Sequence, residues 1–227
     1  MLRAGSAGYT GWWLLNTTII YYTSNREKPE FERKIIASLV DNCGGLPIIS
    51  VSHKPMTLGT NICVGDVVVS NYNAFRQMQI GAQAAKTEFV CTAESDYLYP
   101  PEYFTLRVRD KEMFYPVYRT YMIYENEYYY SRRINEAAMI VGRDYLVQAL
   151  EEMLGGGSRW GEERQLPSLF IGKNRKRITL RTPFITFKTP ENMHPKHHKR
   201  SYVKLQEVDT LPHWGTAKEL TERYCAG

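Results

Sequence analysis

The stretch NYNAFRQMQIGAQAAKTEFVCTAESDYLYPPEYF, residues 71–104, decides the fold. Apolar residues at helical spacing predict a helix over 71–86 with an asparagine cap. The apolar run at 88–93 then predicts a buried strand. This strand ends in two carboxylates one residue apart, Glu94 and Asp96, which repel each other unless a proton or a cation lies between them. The stretch therefore combines a helix, a strand and an acidic strand end.

The same alternation runs through the preceding residues. Strands are predicted at 17–24, 46–52 and 66–70, from β-branched and aromatic runs. A helix begins near Pro29 and is ended by Gly44-Gly45. Strands that alternate with helices indicate an α/β fold with a mostly parallel sheet flanked by helices, and such sheets bind ligands outside the carboxyl ends of their strands.

Polar residues follow three of the predicted strands. Because the carboxyl ends of parallel strands meet at one edge of the sheet, we expect these groups to converge there. The three groups are Thr23-Ser24-Asn25-Arg26, Ser52-His53-Lys54 and Glu94-Ser95-Asp96.

The chain after residue 100 has a different texture. The tyrosine-rich run 114–133 predicts an antiparallel ribbon or a long loop. A strand and then a helix from about Arg143 follow, ended by the glycines at 155–157. A further strand is predicted over 177–187, and a short helix from about Thr216.

Length and composition bound the class of protein. A chain of 227 residues supports one sizeable core, and 43% hydrophobic with 23% charged residues is ordinary for a globular protein. Four cysteines without CxxC spacing favour neither a zinc site nor a disulfide framework. No apolar run is long enough for a membrane span. We expect a reduced, cytoplasmic protein.

Positive charge is concentrated in one segment. Residues 171–204 hold ten Lys or Arg and one acid, a net charge of +9. Because the total net charge is +5, the rest of the chain has a net charge of −4. Clustered cations attract phosphates. The alternative is a solvated surface loop.

The paired acids suit a divalent cation. A strand residue and the next but one point the same way, so Glu94 and Asp96 can share a target. Carboxylate oxygens at a sheet edge suit Mg²⁺ or Mn²⁺, which take further ligands from substrate phosphates. The alternative is a pair of solvated turn acids.

With these residues in place, the chain resembles the GT-A fold glycosyltransferases. In that family a D-x-D motif follows the fourth strand of a nucleotide-binding half and holds a divalent metal on a nucleotide-sugar diphosphate. Glu94-Ser95-Asp96 is a variant with Glu first. The resemblance implies one GT-A-like domain, with a nucleotide-sugar-binding half at about 15–100, a smaller antiparallel acceptor-side half at about 101–204, and a C-terminal tail or helix at 205–227.

Two later places extend the resemblance. Trp160-Gly161-Glu162-Glu163 is similar to the G-E-D-like motif of family 2-like inverting enzymes, which implies Glu163 as the catalytic base, with Glu162 in reserve. A helix start is the alternative for these acids. The resemblance also implies a C-terminal histidine ligand for the metal, His194 or else His197, which would favour Mn²⁺ over Mg²⁺.

For the donor, a UDP-sugar above all, the resemblance implies contacts from the residues that follow the first strand, with Ser95, Asp66 and Arg76 as further candidates. The residues after the first strand are Thr23, Ser24, Asn25 and Arg26. No GxGxxG or GxxxxGK[ST] motif is present, which argues against a dinucleotide fold and a P-loop.

The basic segment predicts the acceptor. Cations dominate affinity for nucleic acid, and bacteriophage enzymes of this kind glycosylate 5-hydroxymethyl pyrimidines, so we expect duplex DNA as acceptor and the host cytoplasm as location if the chain is viral. The expected acceptor-binding residues are Lys173, Arg175, Lys176, Arg177, His197, Lys199 and Arg200. A polysaccharide or lipid-linked acceptor, a nucleotidyltransferase and a non-catalytic DNA-binding module are the alternatives.

Overall fold

The structure is a computed structural model that describes residues 16–131, 136–155, 160, 166–192 and 208–226. The elements up to residue 104 are β1 (Thr17–Thr23), α1 (Pro29–Asn42), β2 (Ile48–Ser52), β3 (Thr60–Cys63), α2 (Asn71–Ala84), β4 (Phe89–Glu94), β5 (Tyr97–Leu98) and α3 (Pro101–Phe104). The later elements are β6 (Phe114–Tyr124), β7 (Glu127–Ser131), β8 (Met139–Gly142), α4 (Arg143–Leu154), β9 (Ile178–Phe187), β10 (Thr210–Leu211), β11 (Gly215–Thr216) and α5 (Ala217–Cys225).

One curled sheet holds nine of the described strands. Its order is β3-β2-β1-β4-β8-β6-β9-β5, and β7 pairs with β6 outside that path. The first four strands in this order, β3, β2, β1 and β4, run parallel to one another, whereas β8 is antiparallel to both β4 and β6. The predicted α/β class is therefore confirmed, with a parallel half that carries the helices and a second half of mostly antiparallel pairings.

The third strand lies earlier than predicted. It is Thr60–Cys63 at the edge of the sheet, and the valine run at 67–69 is a loop in which Val68 and Val69 are about half exposed. The loop leads into α2, whose cap is Ser70 and not an asparagine: Ser70 accepts a hydrogen bond from the backbone N–H of Asn73. The prediction of a strand at 66–70 was wrong because this β-branched run forms the loop that connects an edge strand to a helix.

The tyrosine-rich segment forms the predicted antiparallel ribbon. β6 and β7 pair from Thr120–Ser131 to Tyr124–Glu127, and the two-residue turn between them has positive φ at both Glu125 and Asn126. Positive φ at both turn positions matches the right-handed twist of a hairpin. β9 then pairs in parallel with β6, so it closes the sheet towards β5, the strand that directly follows the acidic motif.

Helices cover both faces of the parallel half. On one face α2 and α4 pack over Ile20, Val51 and Val90; on the other, α1 packs over β1 and β2. The approach of α2 to β1 is close, because a Cβ added at Gly81 would lie 2.5 Å from Cγ2 of Ile20. Gln77, one helical turn before Gly81, is thereby brought against the ends of β1 and β2.

The four cysteines are free, as the sequence predicts. In the described part of the chain, no helix has the length and apolar character that a bilayer crossing requires.

Candidate active-site cleft

A cleft of about 260 Å³ opens at the carboxyl ends of β1 and β4, beside the start of α2. The cleft is lined by seven of the residues that the sequence predicts to converge: Thr23, Ser24, Arg26, His53, Glu94, Ser95 and Asp96. The cleft thus brings together the strand ends that parallel topology predicts to converge. It also contains side chains that the sequence did not single out, among them Glu27 and Asn192.

Three predicted donor-binding residues do not line this cleft. The Asn25 side chain holds the loop after β1 to the loop after β2, accepting a hydrogen bond from the Lys54 backbone N–H at 2.9 Å. Asp66 follows the third strand instead of opening it and is exposed. Arg76 bonds to Gln79 on its own helix. The geometry gives these three residues no contact with the cleft.

The turn that carries the acidic motif is fixed by a tyrosine. The backbone N–H of Glu94 donates to the Tyr99 hydroxyl oxygen at 2.9 Å, and that hydroxyl donates to the carbonyl of Ala137 at 2.8 Å. Tyr99 is buried and packs against Tyr103 and other rings. The end of β4 is therefore tied to the segment before β8, so the acids sit on a rigid support.

The two carboxylates are half-buried at the end of β4, and Lys188 lies 3.9 Å from Asp96. Burial and the charge of Asp96 raise the pKa of Glu94 to about 7, and the hydroxyl of Tyr22, which donates to Glu94, opposes this rise. Burial also raises the pKa of Asp96, against the influence of Lys188 and Arg26. Buried carboxylates with raised pKa values need a proton or a cation nearby.

A divalent metal fits this donor set. Glu94 and Asp96 offer two hard oxygen donors at the carboxyl end of the sheet. The described residues contain no group of three or more His, Cys, Asp or Glu side chains that could hold a metal. Two carboxylates are what Mg²⁺ or Mn²⁺ uses when waters and substrate phosphates complete its coordination. Glu94 and Asp96 are the residues that would hold the ion.

The end of β2 contributes a buried histidine. His53 lines the cleft, is 7% exposed, and its Nε2 atom is buried without a hydrogen-bond partner in the described residues. Burial lowers the pKa of His53, so its neutral form is favoured. A buried polar atom without a partner is costly, and a ligand atom in the cleft can satisfy it.

The floor beside this histidine is built by Gln77. Its side-chain amide donates to the carbonyls of Thr23 and Val51, both at 2.8 Å, and so bridges the ends of β1 and β2. Gln77 is buried in the cleft wall and does not lie on the open helix surface. The available signal in the sequence was a glutamine at the helical spacing of the apolar residues. A buried side-chain amide must have hydrogen-bond partners, so such a glutamine is expected to bond to neighbouring elements.

Glu27 is a third carboxylate in the cleft. It is 5% exposed and accepts a hydrogen bond from the Thr189 hydroxyl at 2.8 Å. Burial raises its pKa, which the bond from Thr189 counters. Glu27 could not be singled out from the sequence, because it looks like an acid near the start of α1 and its partner lies 162 residues away.

Several predicted residues fall outside the described part of the chain. They are Glu162, Glu163, His194, His197, Lys199 and Arg200. Their roles remain predictions.

The four described residues that were predicted to bind the acceptor, at 173, 175, 176 and 177, lie towards the other end of the sheet. Arg175 bridges to Phe114, which pairs with Val141, and Val141 pairs with Val90 near the start of β4. Glu94 lies four positions after Val90, a distance of roughly 13 Å along the strand. None of the four predicted residues between 173 and 177 lines the cleft.

Two of these four side chains have partners within the fold. Lys173 forms an ion pair with Glu152 of α4, and the Arg177 guanidinium lies 3.9 Å from the centre of the Tyr118 ring. Stacking and pairing of this kind are common at protein surfaces and need no ligand.

No family model matches the sequence, and no curated protein matches it. The solved structures to which the chain is similar include the following three. A glycosyltransferase involved in the glycosylation of the major capsid of PBCV-1 has a TM-score of 0.47 and 13% identity, covering 75% of this chain and 92% of that chain. A putative nucleotide-diphospho-sugar transferase from Desulfovibrio desulfuricans G20 has a TM-score of 0.44 and 10% identity, covering 77% and 82%. The inositol-1-phosphate CTP transferase from T. maritima has a TM-score of 0.48 and 12% identity, covering 81% and 93%. At these identities and TM-scores, the likenesses assign no activity to this chain.

Proposed function

We propose that the chain is a metal-dependent glycosyltransferase that moves a hexosyl or pentosyl group from a nucleotide sugar, a UDP-sugar above all, to an acceptor hydroxyl. One observation carries the proposal: a single cleft at the carboxyl edge of parallel strands unites the end of β1 with Glu94 and Asp96. Ligands of open α/β sheets bind at this edge. Paired carboxylates there suit a diphosphate and its divalent ion.

The width of the sheet supports a nucleotide as the ligand. β1 lies between β2 and β4, so His53 and Glu94 are two strand spacings apart, roughly 10 Å. A nucleoside diphosphate with its pyrophosphate at the acids extends its base towards His53. The unpaired Nε2 of His53 then meets the polar edge of the base.

Charge in the cleft suits the leaving group. A bound Mn²⁺ or Mg²⁺ supplies positive charge that stabilises the departing diphosphate. Arg26 lines the same cleft, and Lys188 lies 3.9 Å from Asp96, so both cations act on the phosphates and the acids together. In the proposed reaction Glu163 takes the proton of the acceptor hydroxyl, with Glu162 in reserve, and displacement on the opposite face of the sugar inverts the anomeric carbon.

For the acceptor, we propose a 5-hydroxymethyl pyrimidine in duplex DNA, and with it a bacteriophage DNA-modification role. The support is the net charge of +9 over residues 171–204, since neutralised phosphates dominate affinity for DNA. The cations between 173 and 177 do not line the donor cleft, so this support rests on charge and not on the geometry of the site. A polysaccharide or lipid-linked acceptor is the alternative.

The test is hydrolysis of a UDP-sugar with and without Mn²⁺, for the wild type and for Asp96→Ala. We expect Mn²⁺-dependent hydrolysis that falls by about 100-fold or more in Asp96→Ala, because several kcal/mol of charge stabilisation disappear. Asp144→Ala is the matched control: Asp144 is exposed at the start of α4, at the opposite edge of the sheet.

Other outcomes identify the alternatives. Release of pyrophosphate from a nucleoside triphosphate and a sugar phosphate, without sugar transfer, would indicate a nucleotidyltransferase. Absence of both metal-dependent turnover and metal-dependent nucleotide binding would overturn the proposal and leave a binding module.

A further inference from the structure

The Asp96 carboxylate is held through one of its two oxygens. Oδ2 accepts hydrogen bonds from the Asn192 amide at 3.1 Å and the Thr186 hydroxyl at 3.3 Å, and the Lys188 ammonium lies 3.9 Å away. All three of these side chains, which come from other residues, contact Oδ2. A carboxylate gripped through one oxygen presents the other in a fixed direction.

The three partners differ in how well they can fix that direction. Lys188 is too far for a hydrogen bond and acts through its charge. The Thr186 contact is near the limit of hydrogen-bond length. Asn192 makes the shortest contact and lines the cleft itself.

The Asn192 side chain is fully committed. Its Nδ2 group also donates to the carbonyl of Phe187 at 3.0 Å, and its Oδ1 accepts from the backbone N–H of Thr189 at 3.3 Å. An amide with both ends bonded has one orientation. Asn192 is 9% exposed, so water competes little for these bonds.

The turn that carries Asn192 is anchored on the far side of the cleft. The backbone N–H of Asn192 donates to the Thr189 hydroxyl oxygen at 3.2 Å, and that hydroxyl donates to Glu27. Glu27 belongs to the loop after β1, and Asn192 follows β9. The turn therefore spans from the donor-side loop to the acidic motif.

We propose that Asn192 is a positioning residue for Asp96: its amide holds Oδ2 so that Oδ1 faces the divalent ion and the diphosphate. This inference rests on the proposed function, because it gives Asp96 the role of a metal ligand. Outer partners of this kind orient a ligand before the ion arrives, and their loss weakens metal binding.

The test measures Mn²⁺ affinity directly, by titration calorimetry or by the electron paramagnetic resonance signal of free Mn²⁺, in the presence of UDP. Asn192→Ala is expected to weaken Mn²⁺ binding by about 10-fold or more. Asn192→Leu, which fills more of the vacated volume and makes no hydrogen bond, replaces it if the alanine variant does not fold.

Thr92→Val is the matched control for lost stability. The Thr92 hydroxyl is buried in β4, bonds to the backbone of Glu136 and Met139, and makes no contact with Asp96. Both variants lose buried hydrogen bonds, but only the Asn192 variant should lose Mn²⁺ affinity. Raising the Mn²⁺ concentration should restore UDP-sugar hydrolysis in Asn192→Ala, because a positioning defect is overcome by mass action.

The outcomes separate the two proposals. Wild-type Mn²⁺ affinity in Asn192→Ala, or an equal loss in Thr92→Val, would overturn the role of Asn192 and leave the glycosyltransferase proposal intact. A wild-type protein without metal-dependent UDP binding would overturn the proposed function itself.

Discussion

The two ends of the sheet carry opposite kinds of chemistry. At the carboxyl end of β4, three acids and a histidine face a cleft. Glu27 and His53 are buried, Glu94 and Asp96 are half-buried, and the cations beside them are Arg26 and Lys188. At the other end, Lys173 and Arg175 lie beside α4 and β6 at the level where β4 begins.

The sequence displays the second region far more conspicuously than the first. A run of cations is visible in any charge count, whereas Glu27, His53 and Asn192 are single residues spread over the chain. The comparison shows what each kind of signal can predict. The density of charge along a sequence indicates which ligands a surface can attract, whereas the topology of the strands indicates where in the fold a ligand can react.

The largest effect should come from the proposed base. Glu163→Gln keeps the shape of the side chain and removes its basicity, so sugar transfer to the acceptor should fall by about 100- to 10,000-fold while Mn²⁺-dependent UDP binding is unchanged. Transfer is measured with radiolabelled donor, and binding by calorimetry. Glu162→Gln is the matched control and should retain most activity; the reverse pattern would make Glu162 the base.

A smaller effect is expected at the end of β2. His53→Phe keeps a ring of similar shape and removes Nε2, so the preference for one nucleoside diphosphate over others should fall by about 10-fold, the worth of one hydrogen bond in a buried site. UDP, CDP, ADP and GDP are compared by calorimetry, with pyrophosphate as the probe that has no base. Pyrophosphate binding should be unchanged; if it weakens equally, His53 does not contact the base.

The smallest effect is expected at the opposite end of the sheet. Arg175→Ala with Lys176→Ala should leave UDP-sugar hydrolysis unchanged, because neither residue lines the donor cleft. If both residues contact DNA phosphates, the slope of log affinity against log salt falls by about 1.8. Lys199→Ala with Arg200→Ala is the paired comparison, expected to weaken DNA binding. Equal losses in both pairs would show that the acceptor surface includes both.

Much of the fold was predictable because its signals are local. The helices over 29–42 and 71–84 have apolar residues at regular spacing, and β1, β2 and β4 are apolar runs with polar ends. The third strand was predicted wrongly, at the valine run 67–69. The true third strand at 60–63 is an edge strand, which needs few apolar residues and is therefore inconspicuous in the sequence.

The site was predictable where it follows directly from strand ends. Glu94, Asp96 and Thr23 lie in the cleft because parallel strands must end together. Asn192 was not predictable, since it reaches Asp96 across 96 residues through a sheet closure that no local pattern encodes. Asn25 does not line the cleft, for a related reason: its side chain bonds between two loops.

The three groups on Asp96 Oδ2 all come from residues 186–192, at or just beyond the end of β9. A nascent chain that extends only as far as α4 already contains the parallel strands and both motif acids. It lacks all three of the groups that contact Oδ2 of Asp96. Under the proposed function, the site for a metal nucleotide would therefore be completed late in translation, and cleavage of the chain between its halves would separate Asp96 from the residues that orient it.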